Sequence, residues 1–266
     1  MEDTLLMQAV TIAKAAGEII LDYYHDDSYD VSVKNDKSPV TAADLASDHF
    51  IESELKNTGI SIISEESECD PATRRSLKRF WLVDPLDGTK DFISRNGEFT
   101  VNIALIEGHS PVLGVIYAPA IDMLYYAQKN GGSFLVKNGA GESLPFTHRE
   151  GYVVTASRQH LSDTDREFLS LNGITDVEQK GSSLKFGILA EGRATMYPRF
   201  VGSMEWDIAA GHIIATEAGC RVVDLVTGQE PAYNKESLFN NPFIALAPDL
   251  DYARLRFPGF KGSERV

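Results

Sequence analysis

Residues 84–89, Asp-Pro-Leu-Asp-Gly-Thr, bring together several oxygen donors and a glycine-threonine pair. Asp84 and Asp87 lie three residues apart at the end of a predicted strand, and Pro85 restricts the turn between them, so both carboxylates can face one pocket. The carbonyl of Leu86 lies between them, and magnesium prefers such oxygen ligands. Asp-x-x-Asp-Gly is also common in surface turns, because both residue types tolerate turn geometry. This acidic hexapeptide therefore indicates either a cation site or an ordinary turn.

The end of the acidic hexapeptide is suited to an anion. Gly88 allows the backbone to approach a ligand closely. If a helical turn begins here, the amides of Gly88, Thr89 and Lys90 can bind a phosphate group. Magnesium beside a phosphate is the arrangement that hydrolyses phosphate monoesters with an activated water. Such a reaction needs no cysteine or histidine nucleophile, and the sequence presents no convincing one.

Two further acidic positions lie at the ends of predicted elements. Glu65 and Glu66 directly follow a predicted strand at 60–64, and Asp207 opens a predicted helix at 207–218. Each has an ordinary explanation, since the glutamates suit a solvated loop and an aspartate is a common N-cap. Acidic residues at three element ends, beside a pair that suits an anion, together favour a carboxylate-lined cation site.

The rest of the chain must supply the elements that hold these residues. Apolar spacing predicts helices at 4–24 and about 41–56, and a polar stretch at 32–39 predicts a loop or short hairpin between them. Runs of apolar residues predict further strands at 80–83, 100–107, 112–118, 123–128 and 134–136.

A glycine-rich polar stretch at 139–151 separates two patterns. Beyond it, strands are predicted at 152–156, 194–197 and 221–224, and helices at 162–171, 183–191 and 207–218. We therefore expect an N-terminal α+β half, 1–150, that carries most of the metal ligands. A C-terminal α/β half, 151–266, is expected to complete the metal site and form the substrate wall.

Composition excludes several classes of protein. The formal net charge of −14 over 266 residues repels a nucleic-acid polymer but not a small phosphorylated substrate beside cations. No run of 18 apolar residues predicts a transmembrane segment, and the first residues do not resemble a secretory signal. Cys69 and Cys220 lack metal-ligand spacing and are expected to be reduced thiols. These features predict a cytoplasmic protein, with peripheral contact at the inner membrane as the alternative.

Three segments resemble the inositol monophosphatase superfamily. They are 64–67 (Ser-Glu-Glu-Ser), 81–92, which contains the acidic hexapeptide, and 206–211 (Trp-Asp-Ile-Ala-Ala-Gly). The resemblance runs through nearly the whole chain. It implies an α+β fold with α/β-type layers, the αβαβα sandwich of the inositol monophosphatase and fructose-1,6-bisphosphatase type. It also implies a magnesium-dependent phosphatase that uses two or three ions.

Within that superfamily, smaller details look closest to the CysQ-type 3′(2′),5′-bisphosphate nucleotidases. The segments that carry this resemblance are 38–44 (Ser-Pro-Val-Thr-Ala-Ala-Asp), Lys90, 156–160 (Ala-Ser-Arg-Gln-His), 181–186 (Gly-Ser-Ser-Leu-Lys-Phe), 197–199 (Tyr-Pro-Arg) and 204–207 (Met-Glu-Trp-Asp). They imply hydrolysis of 3′-phosphoadenosine 5′-phosphate to AMP and phosphate, in sulfur assimilation, with the 5′-phosphosulfate as a second substrate. Asp91 departs from the pattern, in which Glu is commoner.

The resemblance assigns roles to individual positions. The implied metal ligands are Glu65, Asp84, the Leu86 carbonyl, Asp87 and Asp207. The implied catalytic groups are Asp44 and Thr89, which orient and deprotonate the attacking water, together with Glu65. The implied substrate contacts are Glu65, Leu86, Asp87, Gly88, Thr89, His160, Ser182, Lys185, Arg199 and Asp207.

Three of these positions have ordinary explanations. Asp44 is predicted at the third position of a helix opened by Thr41, where an acidic residue is favourable in any protein. Lys185 near the start of an apolar helix can extend its amine to solvent. His160 lies beside Arg158 in a predicted loop, where histidine is usually structural or exposed.

Two other functions are compatible with the same residues. Inositol-1-monophosphatase activity would share every metal ligand and differ only in the substrate wall, where 181–185 and Arg199 favour a second anionic group. A non-catalytic phosphate or nucleotide sensor is disfavoured by the intact metal ligands and Thr89. The sequence does not predict the oligomeric state.

Overall fold

The strands form three sheets. The helices form two outer layers and one layer between the two large sheets. The computed structural model describes residues 2–26, 31–33, 39–67, 70–145, 150–158 and 161–259. Its helices are α1 (Glu2–His25), α2 (Ala42–Leu55), α3 (Pro71–Arg75), α4 (Thr89–Ile93), α5 (Asp163–Leu171), α6 (Leu184–Ala190) and α7 (Glu205–Glu217). Its strands are β1 (Val31–Val33), β2 (Pro39–Thr41), β3 (Ser61–Ser64), β4 (Arg79–Asp87), β5 (Thr100–Glu107), β6 (Ser110–Ala118), β7 (Met123–Gln128), β8 (Gly132–Lys137), β9 (Ala140–Leu144), β10 (Val153–Ser157), β11 (Asp176–Lys180), β12 (Met196–Arg199), β13 (Arg221–Asp224) and β14 (Phe243–Leu246).

The strands pair in sequence order in the first large sheet and cross over in the second. The seven-stranded sheet has the order β3-β4-β5-β6-β7-β8-β9, in which only β3 and β4 are parallel. The five-stranded sheet has the order β11-β10-β12-β14-β13, in which β11, β10 and β12 are parallel. β1 and β2 form an antiparallel pair of their own.

Alternation along β4 explains the layers. Phe80 and Leu82 face one core, which also contains α6, α7 and one face of the five-stranded sheet. Trp81 and Val83 face the other core, which is closed by α1 and α2. Phe168 of α5 packs on the outer face of the five-stranded sheet. The order helix, sheet, helix, sheet, helix confirms the expected αβαβα sandwich, because each sheet needs both apolar faces covered.

Several expected elements differ from the structure. β9 and β11 were not expected because their sequences, Ala-Gly-Glu-Ser-Leu and Asp-Val-Glu-Gln-Lys, have no apolar alternation. α3 and β14 also lay in stretches without a prediction. β4 continues to Asp87, so the first four residues of the acidic hexapeptide form the irregular last part of the strand, and Gly88 and Thr89 begin α4. Residues 34–38 lie outside the described residues.

One helix in the described part of the chain is long and apolar enough to cross a membrane. It spans Asp3–His25, and its most apolar stretch has a mean hydropathy of 1.4, but half of that stretch is buried inside the structure. Ala9, Ala13 and Ala16 are fully buried in the core against the seven-stranded sheet. We therefore assign α1 to the core of the fold.

α7, which carries Asp207, lies directly against β6 at Gly114. A Cβ atom added to Gly114 would lie 2.6 Å from Cγ2 of Ile213 and 2.7 Å from the carbonyl oxygen of Ala210. Both neighbours belong to α7, and one of them is backbone that cannot rotate away. The absence of a side chain at Gly114 therefore sets the distance between α7 and the sheet.

Gly114→Ala should destabilise the protein, because the added methyl group forces α7 away from β6. Overpacking of this kind costs about 2 kcal/mol, which lowers the Tm by roughly 4–8 °C in a chain of this size. The measurement is a thermal melt followed by circular dichroism. The matched control is Gly141→Ala on edge strand β9, where the nearest atom to the added Cβ is 3.8 Å away. Equal melting temperatures for the two variants would contradict this packing.

Candidate active site

Three carboxylates from three elements converge at one point. Oxygen atoms of Glu65, Asp84 and Asp207 lie within 4.8 Å of one another. Glu65 directly follows β3, and its amide donates to the carbonyl of Val83 at 3.1 Å. Asp84 is in β4, where the pairing with β5 becomes irregular between Asp84 and Asp87. These three residues are called the acidic trio below.

Asp207 is held differently from the expectation. α7 begins at Glu205 and its N-cap is Met204, so the interpretation of Asp207 as an N-cap is wrong. Asp207 is the third helical residue, and its Oδ2 accepts a hydrogen bond from the Met204 amide at 2.8 Å. This bond closes the first turn of α7 and leaves the other carboxylate oxygen available to the acidic trio.

One face of α2 contacts both sides of the acidic trio, which sequence reasoning missed. Asp48 accepts hydrogen bonds from the hydroxyls of Ser64 and Ser67, which flank Glu65 in the chain. Ser47 donates to the carbonyl of Pro85 at 2.8 Å. The signal in the sequence was the spacing of Asp44 and Asp48, because residues four apart share a helix face.

Asp44 and Thr89 lie together, as the resemblance implied. Thr89 Oγ1 donates to Asp44 Oδ1 at 3.1 Å. Asp44 Oδ2 accepts from the amide of Thr41 at 2.8 Å and from the Thr41 hydroxyl, so it is the third residue of α2 in a capping box. Burial raises the pKa of Asp44. A carboxylate with a raised pKa, linked to a hydroxyl at the edge of the cavity, is suited to accept a proton.

Asp87 is oriented by residues that the sequence did not single out. Asn102 Nδ2 donates to Asp87 Oδ2 at 3.3 Å. The Ser183 backbone amide also donates to Asp87, and the Ser183 hydroxyl donates to Asn102 Oδ1 at 2.7 Å. Ser183 belongs to the C-terminal part of the chain and Asn102 to β5, so Asp87 is held from both sides of the cavity.

A cavity of about 520 Å³ contains most of the residues that the resemblance implied. Its walls include Glu65, Asp84, Leu86, Asp87, Gly88, Thr89, Ser182, Lys185, Arg199 and Asp207. Asp44 reaches it through Thr89, and His160 lies outside the described residues. Nearly the whole implied set therefore shares one space, although its members come from positions more than 100 residues apart in the chain.

The same cavity is also lined by Lys185 and Arg199, which are called the cationic wall below. In the described residues, neither Lys185 nor Arg199 forms an ion pair with a carboxylate. Lys185 is 4% exposed, so its amine does not extend to solvent. Its Nζ donates to the carbonyl of Ser182 and lies 5.5 Å from the centre of the Tyr197 ring. Burial and the nearby charge of Arg199 lower the pKa of Lys185 to about 8.

Burial and the repulsion of neighbouring carboxylates raise the pKa values of Asp84, Asp87 and Asp207. Burial is the largest cause for Asp84, and the charges of Glu65, Asp87 and Asp207 add to it. Burial and the charges of Asp87 and Glu65 raise the pKa of Asp207 to about 8. Burial raises the pKa of Asp87, and the positive charge of Lys185 partly offsets this rise. A divalent cation would remove this cost, because it favours the ionised form of every neighbouring carboxylate.

The donor set fits magnesium. The acidic trio supplies three carboxylates whose oxygens are close enough to share one ion. The Leu86 carbonyl and Asp87 line the same cavity, and such oxygen ligands are the type that magnesium prefers, with remaining positions filled by water. A cavity with these walls can hold divalent cations on one side and phosphate oxygens on the other.

The pH dependence of stability tests the acidic trio. In the unfolded chain an aspartate has a pKa of about 4, whereas folding raises the pKa of Asp207 to about 8. Between these values the folded state binds more protons than the unfolded state. The free energy of unfolding of the metal-free protein should therefore fall as the pH rises through this window. Asp207→Asn removes one charge and should raise the Tm in EDTA at pH 8 by roughly 5 °C.

Magnesium should reverse this pH effect in the wild type and much less in Asp207→Asn, because a cation that binds only the folded state stabilises it. Thermal melts at pH 5 and pH 8, with EDTA and with magnesium, measure both effects. The control is Asp249→Asn, at an exposed position, which should not change the Tm. Equal behaviour of the two variants would show that the acidic trio does not carry the predicted repulsion.

Comparisons with known proteins agree with this geometry. The model of the inositol monophosphatase family matches residues 1–251. A curated relative from Salmonella typhimurium, named 3′(2′),5′-bisphosphate nucleotidase CysQ, is 42% identical over 241 residues, 90% of this chain and 97% of the relative. The crystal structure of CysQ from Bacteroides thetaiotaomicron has a TM-score of 0.84 at 40% identity and covers 93% of this chain and 98% of that one. An inositol monophosphatase (IMPase) from Thermotoga maritima has a TM-score of 0.76 at 25% identity, with 93% of each chain covered. The chain belongs to the inositol monophosphatase family.

Proposed function

We propose that this protein is a magnesium-dependent 3′(2′),5′-bisphosphate nucleotidase that hydrolyses adenosine 3′,5′-bisphosphate to AMP and phosphate. The observation that carries the proposal is the pair Lys185 and Arg199 on the same cavity as the acidic trio. A substrate with one scissile phosphate and one further phosphate gives both walls a partner. The relatives named CysQ 3′(2′),5′-bisphosphate nucleotidase support the same activity.

The residues of the cavity divide the reaction between them. Magnesium held by the acidic trio and Asp87 would neutralise phosphate charge and make water more acidic. Thr89 orients the attacking water through its hydroxyl, and the proton of that water passes toward Asp44, which already accepts a hydrogen bond from Thr89. Gly88 and Thr89, at the start of α4, offer backbone amides to the oxygens of the scissile phosphate. The water oxygen forms a bond to phosphorus as the bond from phosphorus to the ribose O3′ breaks, O3′ takes up a proton to become the 3′-hydroxyl of AMP, and inorganic phosphate leaves.

The cationic wall is assigned to the second phosphate. Lys185 is held by the Ser182 carbonyl, so its amine is fixed before the substrate arrives. Arg199 is in β12 on the adjacent part of the cavity. Burial and the positive charge of Arg199 lower the pKa of Lys185. A phosphate dianion bound between the two side chains would offset the repulsion between them. An inositol monophosphate has no group for this wall.

Three finer assignments belong to the same proposal. We infer that Glu65, Asp84, Asp87, Asp207 and the Leu86 carbonyl hold two or three magnesium ions. We infer two structural halves, 1–150 and 151–266, because the two large sheets divide there. We infer a cytoplasmic location, as the composition predicts; Cys220 is a free cysteine buried in the core, while Cys69 lies outside the described residues.

A phosphate-release assay across a small panel tests the activity. With magnesium, kcat/KM for adenosine 3′,5′-bisphosphate should exceed that for inositol 1-phosphate by at least about a hundredfold, because only the former gives Lys185 and Arg199 a charged partner. Faster turnover of inositol 1-phosphate would make the protein an inositol monophosphatase. Binding of the nucleotide without phosphate release would make it a sensor. In the same assay Asp87→Asn should abolish turnover, and wild-type turnover in that variant would contradict the metal assignment.

Lys185→Met tests the cationic wall. The substitution keeps the apolar stem and removes the charge, so KM for adenosine 3′,5′-bisphosphate should rise about tenfold to a hundredfold, the value of a hydrogen bond to a charged group. The kcat should change little, because the scissile phosphate is bound elsewhere. Arg199→Gln should act in the same direction. Lys129→Gln removes an equal charge at an exposed turn and should leave KM unchanged. A KM that is insensitive to both Lys185 and Arg199 would place the second phosphate on another surface.

A further inference from the structure

Glu98 is a buried carboxylate that neither the metal site nor the cationic wall uses directly. It lies between α4 and β5 and is 6% exposed. Its two oxygens accept hydrogen bonds from Arg158 Nε at 2.5 Å, Arg158 Nη2 at 2.6 Å, Lys180 Nζ at 3.0 Å and the Gly181 amide at 2.8 Å. Burial acts to raise the pKa of Glu98, but the hydrogen bonds from Arg158, Gly181 and Lys180 lower it to about 2.

The donors to Glu98 all come from the other large sheet. Arg158 follows β10, Lys180 ends β11, and Gly181 begins the turn into α6. Their positions are more than 50 residues away in the chain, so one side chain joins the ends of two strands to the loop that leads into β5. A carboxylate that accepts four hydrogen bonds is held in one orientation, and it holds its donors equally well.

The backbone of Glu98 fixes the same turn from a second direction. Its carbonyl oxygen lies 2.6 Å from the Ser182 hydroxyl, which is also 2.8 Å from the carbonyl oxygen of Asp87. Ser182 has a φ of 49°, a left-handed conformation that is unfavourable in a residue other than glycine. At Gly181 a Cβ atom would lie 2.6 Å from the Glu98 carbonyl oxygen. The turn is therefore strained, and Glu98 holds it against that strain.

The turn leads directly to the residues that face the substrate. The Ser183 amide donates to Asp87, and Lys185 Nζ donates to the Ser182 carbonyl. A shift of Gly181 and Ser182 would therefore displace the Lys185 amine, whereas Asp87 keeps its hydrogen bond from Asn102.

We propose that Glu98 is a positioning residue for substrate selection: it fixes the turn at Gly181 and Ser182 so that Lys185 is at the correct distance from the acidic trio to bind a second phosphate. The proposal rests on the proposed function for the identity of the substrate. Glu98 does not touch the substrate, and its effect is transmitted through the turn.

A direct through-space effect of the Glu98 charge on the substrate would have the opposite sign. Removing a negative charge near an anionic substrate strengthens binding, whereas loosening the turn weakens binding of the second phosphate. In Glu98→Gln the amide group would face the donors of Arg158, Lys180 and Gly181, which cannot all be satisfied by one carbonyl oxygen. The charge of Glu98 also raises the pKa of Lys185, which is about 8. Measured at pH 6, where Lys185 stays protonated in both proteins, the direction of the change in KM therefore separates the two explanations.

The kinetic test compares two substrates that share the scissile 3′-phosphate. Glu98→Gln should raise KM for adenosine 3′,5′-bisphosphate about tenfold, while KM for adenosine 3′-monophosphate changes less than about twofold, because only the former uses the cationic wall. The kcat for both should remain within about threefold of wild type. The matched control is Glu178→Gln. Glu178 lies on the same strand as Lys180, and the substitution breaks its ion pair with Arg193, so neither KM should change. A lower KM for the bisphosphate, or equal changes for both substrates, overturns the proposal.

Amide hydrogen exchange tests the turn without any turnover. In Glu98→Gln, exchange at 181–185 should be at least about tenfold faster, while α7 is unchanged. Unchanged exchange at 181–185 overturns the proposal. If Glu98→Gln does not fold, Arg158→Gln removes two of the four hydrogen bonds from a side chain that is 44% exposed and should accelerate exchange at the same residues. A wild type that does not release phosphate from the bisphosphate would refute the proposed function, and the exchange experiment would still decide the role of Glu98.

Discussion

Repulsion among buried carboxylates is the constraint on which the rest of this structure depends. Two unit charges at the separation of the acidic trio, up to 4.8 Å, repel by roughly 3.5 kcal/mol at an effective dielectric constant of about 20. Folding must therefore bring Glu65, Asp84 and Asp207 together against this repulsion. Their proximity contributes no stability until a cation binds. Apolar layers on both faces of the seven-stranded sheet supply the energy for this, because burial is the largest favourable contribution to folding.

The acidic trio is divided among elements that meet only in the folded protein. Glu65 follows β3, Asp84 is in β4, and Asp207 is in α7 on the opposite face of the sheet. α2, on the other face, supplies Asp44 and the contacts of Asp48 to the serines around Glu65. No local segment can form this site alone. Its geometry is set by the distance between layers, which explains the close contact between Gly114 and α7.

Local chemistry could be predicted from the sequence, whereas long-range geometry could not. Residue types, a helix start or the family resemblance predicted three sets of residues: the acidic hexapeptide, Thr89 with Asp44, and the cationic pair Lys185 and Arg199. The structure places them around one cavity. The αβαβα order came from the resemblance, since periodicity indicates elements but not their layering. β11 has a polar sequence and exists because Lys180 and its neighbours pair with β10, and tertiary pairing of that kind leaves no mark in hydrophobic periodicity. Glu98 was overlooked for the same reason: its partners are 60 or more residues away.

The two walls of the cavity store opposite electrostatic costs. On one side carboxylates raise one another's pKa values. On the other side Arg199 and burial lower the pKa of Lys185. The opposing charges partly compensate, since Asp87 and Glu98 act to raise the pKa of Lys185 and Lys185 acts to lower that of Asp87. A divalent cation relieves the first wall, and a phosphate relieves the second. A ligand that binds to one wall alone also weakens the attraction that this wall exerts on the opposite charges of the other wall. The cavity is therefore most stable when cations and a doubly phosphorylated substrate are bound together. In a protein with a formal net charge of −14, the buried Lys185 and the partly buried Arg199 give this cavity a local positive charge, which is the electrostatic basis of the substrate binding that we propose.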